Sequence, residues 1–334
     1  MALANFDRVD DYGNAAAEAA ACRSNCALFD FSFLESARLE GSGARGVIEL
    51  FTGRSMEALA EGHIRYALRI GPSGESIADL TVWRTGAMSF EVMSGRREDI
   101  TDLLTCSGRG AGVVDMTAEH ATFAVQGPGS LDVLRQLGDV GQIEELRYFN
   151  FGPATLAGVN CRIGRLGYTG EAGFEVIIER RHGDRLWQAL SVYARPAGFI
   201  AADMLRIEAG FVLFTNEFRL PVLPSEAGLG RFSRSTIIPA PEITLISFRA
   251  DANHLRWPWE PSQELNRPAK PGEIVVTSAC ESIVAGGILG LGYVLKGMTA
   301  SAELKDPTGI FRNIRRVPMP FYDTAKRRPR APWR

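Results

Sequence analysis

The sequence has no apolar run long enough to cross a membrane, no excess of either charge and no paired cysteines. Each absence removes a class of protein. The longest apolar stretch, IVAGGILGLGYVL at 283–295, falls well short of the roughly 20 residues a spanning helix needs, so it reads as a buried strand or hairpin. With 37 basic and 39 acidic residues the net charge is -2, which leaves no field to draw in nucleic acid. The five cysteines (22, 26, 106, 161 and 280) are odd in number and scattered. Cys22 and Cys26 lack a second pair of ligands, which argues against zinc, and the set reads as the reduced thiols of a cytoplasmic protein. The opening MALANFDRVDDYG carries acids and no apolar run, unlike a secretory signal. No solenoid-type repeat is present, and neither G-x-G-x-x-G nor G-K-[ST] occurs in the glycine-rich region that would need it.

What is there is ordinary globular material, 46% hydrophobic and 23% charged. Helical patterning is expected over 13–26, 46–60, 97–105, 185–193 and 202–213, the last two amphipathic. Residues 67–70 and 79–84 read as paired strands around the turn formers GPSG at 71–74. SFEVMSG, ATFAVQG and FEVIIE are further strands. Tight hairpin-like connections favour antiparallel α+β over a parallel doubly wound sheet. After Asn216 prolines cluster at 221, 224, 239, 241, 258, 261, 268 and 271 between short strands, which predicts a separate small all-β module. The expected division is 1–239 as two interwoven α+β domains, 240–323 as the β module, and 324–334 as a solvated basic tail ending KRRPRAPWR.

The stretch GRLGYTGEAGFEV at 164–176 repeats glycine every third residue. A phosphate cradle would need a helix after the loop, to offer its free N–H groups and dipole. Here FEVIIE follows, with Phe174, Val176 and Ile178 alternating against Glu175, Ile177 and Glu179, a strand signal. Two readings remain. The glycines serve a tight hairpin with no ligand, or the hairpin brings Tyr168, a flat aromatic face, and Glu175, a bidentate acceptor, to a planar ligand with an amidine-like edge such as a pterin or guanine.

Several blocks in order resemble the aminomethyltransferase family, the T-protein of glycine cleavage, with its folate-dependent demethylases and folate-binding assembly proteins. GRLGYTGEAGFE is similar to that family's R-T-G-Y-T-G-E-D-G-F-E, LFDFSF (28–33) to G-L-F-D-V-S-H, and GPSGESIADLTVWR (71–84) to N-x-x-G-G-I-x-D-D-L-I-V. FAVQGPGSLDVL (123–134), RPAGFIAADMLRIEAGFVLF (195–214) and VPMPFYD (317–323) resemble further family segments. The resemblance implies a three-domain cloverleaf of antiparallel sheets with flanking helices and a small C-terminal β-barrel, binding tetrahydrofolate in a central channel. It implies transfer of an aminomethyl or methyl unit from a small molecule or a protein-bound donor, with a carrier protein as a conceivable partner. A non-catalytic folate-binding or assembly role is the alternative.

Residue by residue, the resemblance implies that Asp79 is the critical carboxylate beside the reactive folate nitrogens, where it would orient folate and stabilise developing positive charge. Otherwise it is a surface aspartate at a hairpin. Glu175 matches the pterin-binding glutamate, against a cross-strand ion pair, and Tyr168 the tyrosine beside the folate. Tyr66 matches a family tyrosine that reads equally as core, and Leu34 stands in for a methionine as an apolar wall. Ser94 replaces the family asparagine. Phe33, Ala202 and Asp323 replace a histidine and two arginines, so the ligand's polar contacts are expected to differ, with Arg96, Arg97 and Arg165 as candidate substitutes. Cys280 reads as a structural thiol.

Overall fold

The computed structural model describes residues 8–108, 110–233, 240–253, 255, 259–261, 265–298 and 303–333. They form three sheets. The first holds six strands, in the order Arg195–Ala197, Ala27–Asp30, His120–Gln126, Gly173–Glu179, Val159–Gly164, Phe151–Leu156. Its pairings are antiparallel except that Arg195–Ala197 runs parallel to Ala27–Asp30. The second holds five strands, in the order Ile64–Ile70, Ser76–Gly86, Ser89–Ser94, Glu35–Glu40, Gly112–Asp115, all antiparallel. The third is a four-stranded antiparallel sheet in the order Ile274–Ser282, Gly287–Leu295, Ile243–Ala252, Phe311–Val317. A mixed architecture of antiparallel sheets with flanking helices is therefore correct. The strands of the third sheet are long rather than short, and the sheet they form is open among the described residues. The expected boundary at 239/240 abuts residues 234–239, outside those described.

The hairpin around GPSG forms as the turn chemistry dictates, with Tyr66 opposite Thr81 and Leu68 opposite Asp79. Gly173–Glu179 is a strand, as the β-branched run requires. It lies between two neighbours, so every residue from Gly173 to Ile178 is buried and the expected alternation disappears. The helix expected at 46–60 is shorter, Ala44–Thr52, closed by Gly53 in the left-handed region at φ +61°.

One expectation fails for a reason that only packing reveals. The helix placed at 202–213 runs Phe199–Glu208 and is buried from Ile200 to Glu208, not amphipathic. It packs against the third sheet's strand Ile274–Ser282 and against the helix Ala15–Ser24. Its charges are neutralised in place. The fully buried Arg206 guanidinium meets Asp203 at 2.8 Å and Glu217 at 2.9 Å, and Arg23 meets Glu208 at 2.7 Å.

The tail, most of whose described residues are exposed, is also docked at several points. Arg328 pairs with Glu171 at 3.2 Å, and Pro329 is buried. Arg165 donates to the Ala331 carbonyl, and the Trp333 ring stacks on Phe174 at 4.9 Å. Basic composition reads as solvated only when no acid or aromatic ring awaits it. Trp333→Ala is accordingly expected to lower unfolding stability by about 1–2 kcal/mol through lost stacking and apolar burial. Urea denaturation reads this, and an unchanged midpoint would show that the tail contributes nothing.

Candidate functional site

The glycine loop closes on one side chain. Gln126, at the end of its strand, donates through Nε2 to the carbonyls of Leu166 (3.1 Å) and Phe174 (3.2 Å) and accepts from Thr169 Oγ1 at 3.0 Å. A Cβ on Gly167 would lie 1.9 Å from this amide, so only glycine lets the loop wrap it. Gly170 sits at φ +79° against Ala209. Arg23 reaches the loop through the Thr169 carbonyl (2.8 Å) and Glu171 (3.2 Å), and the Tyr322 hydroxyl donates to Glu171 at 2.6 Å. The loop is thus a rigid, anchored turn, and its rigidity fixes Tyr168. Sequence reading did not single out Gln126 or Arg23. The signal available was the glutamine of the FAVQGPG block.

Tyr168 donates its hydroxyl to the Val212 carbonyl, and its ring stacks on Phe211 at 6.0 Å. Across from it is the hairpin of the second sheet. Because cross-strand partners share a face, Asp79 opposite Leu68 stands on the same side as Tyr66 two residues away. The Tyr66 hydroxyl donates to Asp79 Oδ2 at 3.2 Å. Burial pushes the Asp79 carboxyl up to about 6, with the Asp99 and Glu217 charges adding and the Tyr66 hydrogen bond opposing. Burial also raises both tyrosines, Tyr66 with added repulsion from Asp79, and Tyr168 despite the nearby Arg206 guanidinium, which opposes. Tyr66, Asp79 and Tyr168 are therefore within electrostatic reach of one another.

Glu175 lies apart from that trio. It shares a face of its strand with Ile177, which packs with Trp83, Met93 and Leu166. Leu34 packs against both that cluster and the core on which Tyr66 and Tyr168 also pack. Among the described residues Glu175 has no hydrogen-bond or ion-pair partner, and burial alone pushes its carboxyl up to about 7. The cross-strand ion pair is absent.

Ser94 is fully buried, donates to Asp99 at 2.7 Å and accepts from the Arg96 backbone N–H at 3.1 Å. It lies across from Leu80, next to Asp79, and the Asp99 it bonds is one of the charges acting on Asp79. Phe33 packs between Phe31 and Phe199, and Ala202 is buried. The three candidate substitute cations are already engaged: Arg96 with Asp99 (3.0 Å), Arg97 with Glu35 (2.7 Å) and Asp115 (2.6 Å), Arg165 with the carbonyls of Leu146 and Ala331. Cys280 is fully buried beside the Met204 carbonyl, with its thiol pushed far up by burial, which suits a structural role. Among the described residues no group of three or more His, Cys, Asp or Glu side chains is placed to hold a metal ion, and no helix is long and apolar enough to cross a membrane.

Residues 1–236 match the family model described as the GCVT N-terminal domain. An aminomethyltransferase of Streptomyces avermitilis is 34% identical over 238 residues, covering 69% of this chain and 64% of that protein, so the match spans less than two thirds of the relative's length. An aminomethyltransferase of Deinococcus deserti is 28% identical over 334 residues, covering 95% of this chain and 91% of that one. The crystal structure of glycine cleavage system aminomethyltransferase T from Bartonella henselae superposes with a TM-score of 0.74 at 22% identity, over 88% of this chain and 85% of that one. At that identity the likeness concerns the fold.

Proposed function

The chain belongs to the aminomethyltransferase family, and from this premise we propose that it transfers a one-carbon unit, aminomethyl or methyl, to tetrahydrofolate. The observation that carries the reading is Glu175, a buried carboxyl without a partner among the described residues. A buried carboxyl is costly unless something bonds it, and two parallel donors on a pterin edge match it. The residues present therefore fit the ligand: Glu175 holds the pterin edge, Tyr168 offers a flat face, and Leu34 forms an apolar wall. Bound tetrahydrofolate supplies the nucleophilic nitrogen that accepts the one-carbon unit.

Asp79 has the catalytic part. Its charge stabilises positive charge developing at the transferred carbon, and a carboxyl near 6 is mostly ionised at neutral pH yet basic enough to take up a proton during the reaction. Tyr66 fixes its orientation through the 3.2 Å hydrogen bond. Ser94 positions Asp99, whose charge acts on Asp79. We assign the site to the region 1–239 of a cytoplasmic protein, with 240–323 as a C-terminal β domain and 324–334 as a basic tail. The donor is a methylated small molecule or an aminomethyl group on a carrier protein. The non-catalytic alternative finds no support among relatives that carry a transferase name.

Calorimetric titration of the full chain with tetrahydrofolate tests the reading. Saturable binding is expected, and no heat up to millimolar ligand would overturn it.

A further inference from the structure

Arg231, Lys326 and Arg330 stand together, and among the described residues none of them has a carboxylate partner. This sets them apart from Arg328 of the same segment, which pairs with Glu171. Each rests on an aromatic ring: Arg231 over Phe232 at 4.6 Å, Lys326 over Phe211 at 5.2 Å, Arg330 over Tyr148 at 5.2 Å. Each ring in turn leads to a different candidate site residue. Phe232 packs on Tyr66 at 4.9 Å, Phe211 stacks on Tyr168 at 6.0 Å, and Tyr148 lies within electrostatic reach of Glu175.

Three like charges do not gather without cost. Lys326 is held by the backbone. Its φ is +50°, its N–H donates to the Asp323 carbonyl at 2.7 Å, and its own carbonyl accepts from Arg330 Nη1. Burial, then the Arg231 and Arg330 charges, pull its ammonium below the usual lysine range. A cavity of about 580 Å³ opens beside Arg330, the one member of the trio that lines it, with Arg147, Tyr148, Arg165 and Trp333 on its wall and the acids Glu144 and Glu145 at its edge. Arg96, Arg97 and Arg165 are spent on internal contacts, and positions 202 and 323 carry Ala and Asp, whereas these cations of the tail and of the 230–232 turn have no acid to answer among the described residues.

We propose that Arg231, Lys326 and Arg330 form a carboxylate-binding site beside Tyr66, Tyr168 and Glu175, and that it takes the glutamyl carboxylates of a folate's tail. The inference rests on the folate reading above. A carboxylate on a small one-carbon donor has the same chemistry, and the test separates the two.

The full chain is titrated calorimetrically with tetrahydropteroate, which lacks the glutamate, and with the mono- and triglutamyl forms of tetrahydrofolate. Wild-type affinity is expected to rise about tenfold or more from pteroate to triglutamate and to weaken with salt. Lys326→Gln and Arg330→Gln are expected to remove most of that gain and leave pteroate binding unchanged, which also shows that the variants are folded. Equal affinities for the three ligands in the wild type overturn the proposal and leave the folate reading standing. So does an equal loss of pteroate and triglutamate binding in the variants. Binding of an N-methyl amino acid that disappears in the variants, with the glutamate gain intact, reassigns the site to the donor and overturns the tail assignment. Failure of all three folates to bind overturns both readings.

Discussion

Asp79→Asn is expected to lower turnover by about 10²–10⁴-fold, the range set by loss of a positioned acid–base or charge-stabilising group, with tetrahydrofolate affinity largely kept. The same substitution is expected to make the empty protein more stable at neutral pH. The folded carboxyl titrates near 6 against a usual value of 3.8. A carboxyl raised in the folded state favours the fold when protonated. That contribution is present below about pH 4 and is lost as pH rises through about 6, where the buried charge must form. Asparagine never ionises, keeps the Tyr66 contact, and so gains at most about 2–3 kcal/mol above pH 7. For the wild type, turnover that depends on the carboxylate falls as pH drops below about 6. Steady-state rates and urea denaturation across pH 4–8 read both effects. Unchanged turnover in the variant would remove Asp79 from the reaction.

The second large effect concerns Glu175. Glu175→Ala is expected to weaken tetrahydrofolate binding by about 1.5–3 kcal/mol, the worth of a hydrogen bond to a charged group. Protons supply an independent check. With its carboxyl near 7 in the empty protein, Glu175 is about half protonated at neutral pH, and ligand donors hold it ionised. Binding then releases about half a proton at pH 7 and weakens about tenfold per pH unit below it. Calorimetry in two buffers of different ionisation enthalpy measures that release. If no Glu175-dependent proton appears, the carboxyl does not contact the ligand.

These two residues also show where sequence reading succeeds and where it stops. Asp79 and Tyr66 are pointed to by the family resemblance, while the GPSG turn and the hairpin it closes were legible in the residues themselves; the hairpin's register sets the two side chains on one face. The loop 164–172 was legible because the β-branched run after it excludes a helix. The strand's burial on both sides was not, because Glu175 in an alternating pattern looks half-exposed until the strands on either side and the Trp83, Met93 and Leu166 cluster are in place. The helix Phe199–Glu208 defeats pattern reading for a related reason. Asp203, Arg206 and Glu208 mark a polar face only if nothing pairs with them; Arg206 pairs within the helix with Asp203 and just beyond it with Glu217, and Glu208 pairs with Arg23, which is far away in sequence. The docked tail depends on Glu171, Phe174 and Tyr148, which no local window connects to residues 328–333. Ser94 is the converse case. Its position aligned, but its hydroxyl is committed to Asp99.

The strands of the five-stranded sheet all fall between residues 35 and 115, inserted between two neighbouring strands of the six-stranded sheet, Ala27–Asp30 and His120–Gln126. The six-stranded sheet gains its last strand only at Arg195–Ala197. On a translating ribosome the inserted sheet has every strand it needs long before its host does, and domains fold as units as they emerge. The strands that carry Asp79 and Tyr66 are therefore complete in the chain before Tyr168 and Glu175 are synthesised, but their packing is not, because Tyr66 rests on Phe232 and Leu68 and Ala78 share a core with residues 197–293. The hairpin can take its register early and receives its cover late.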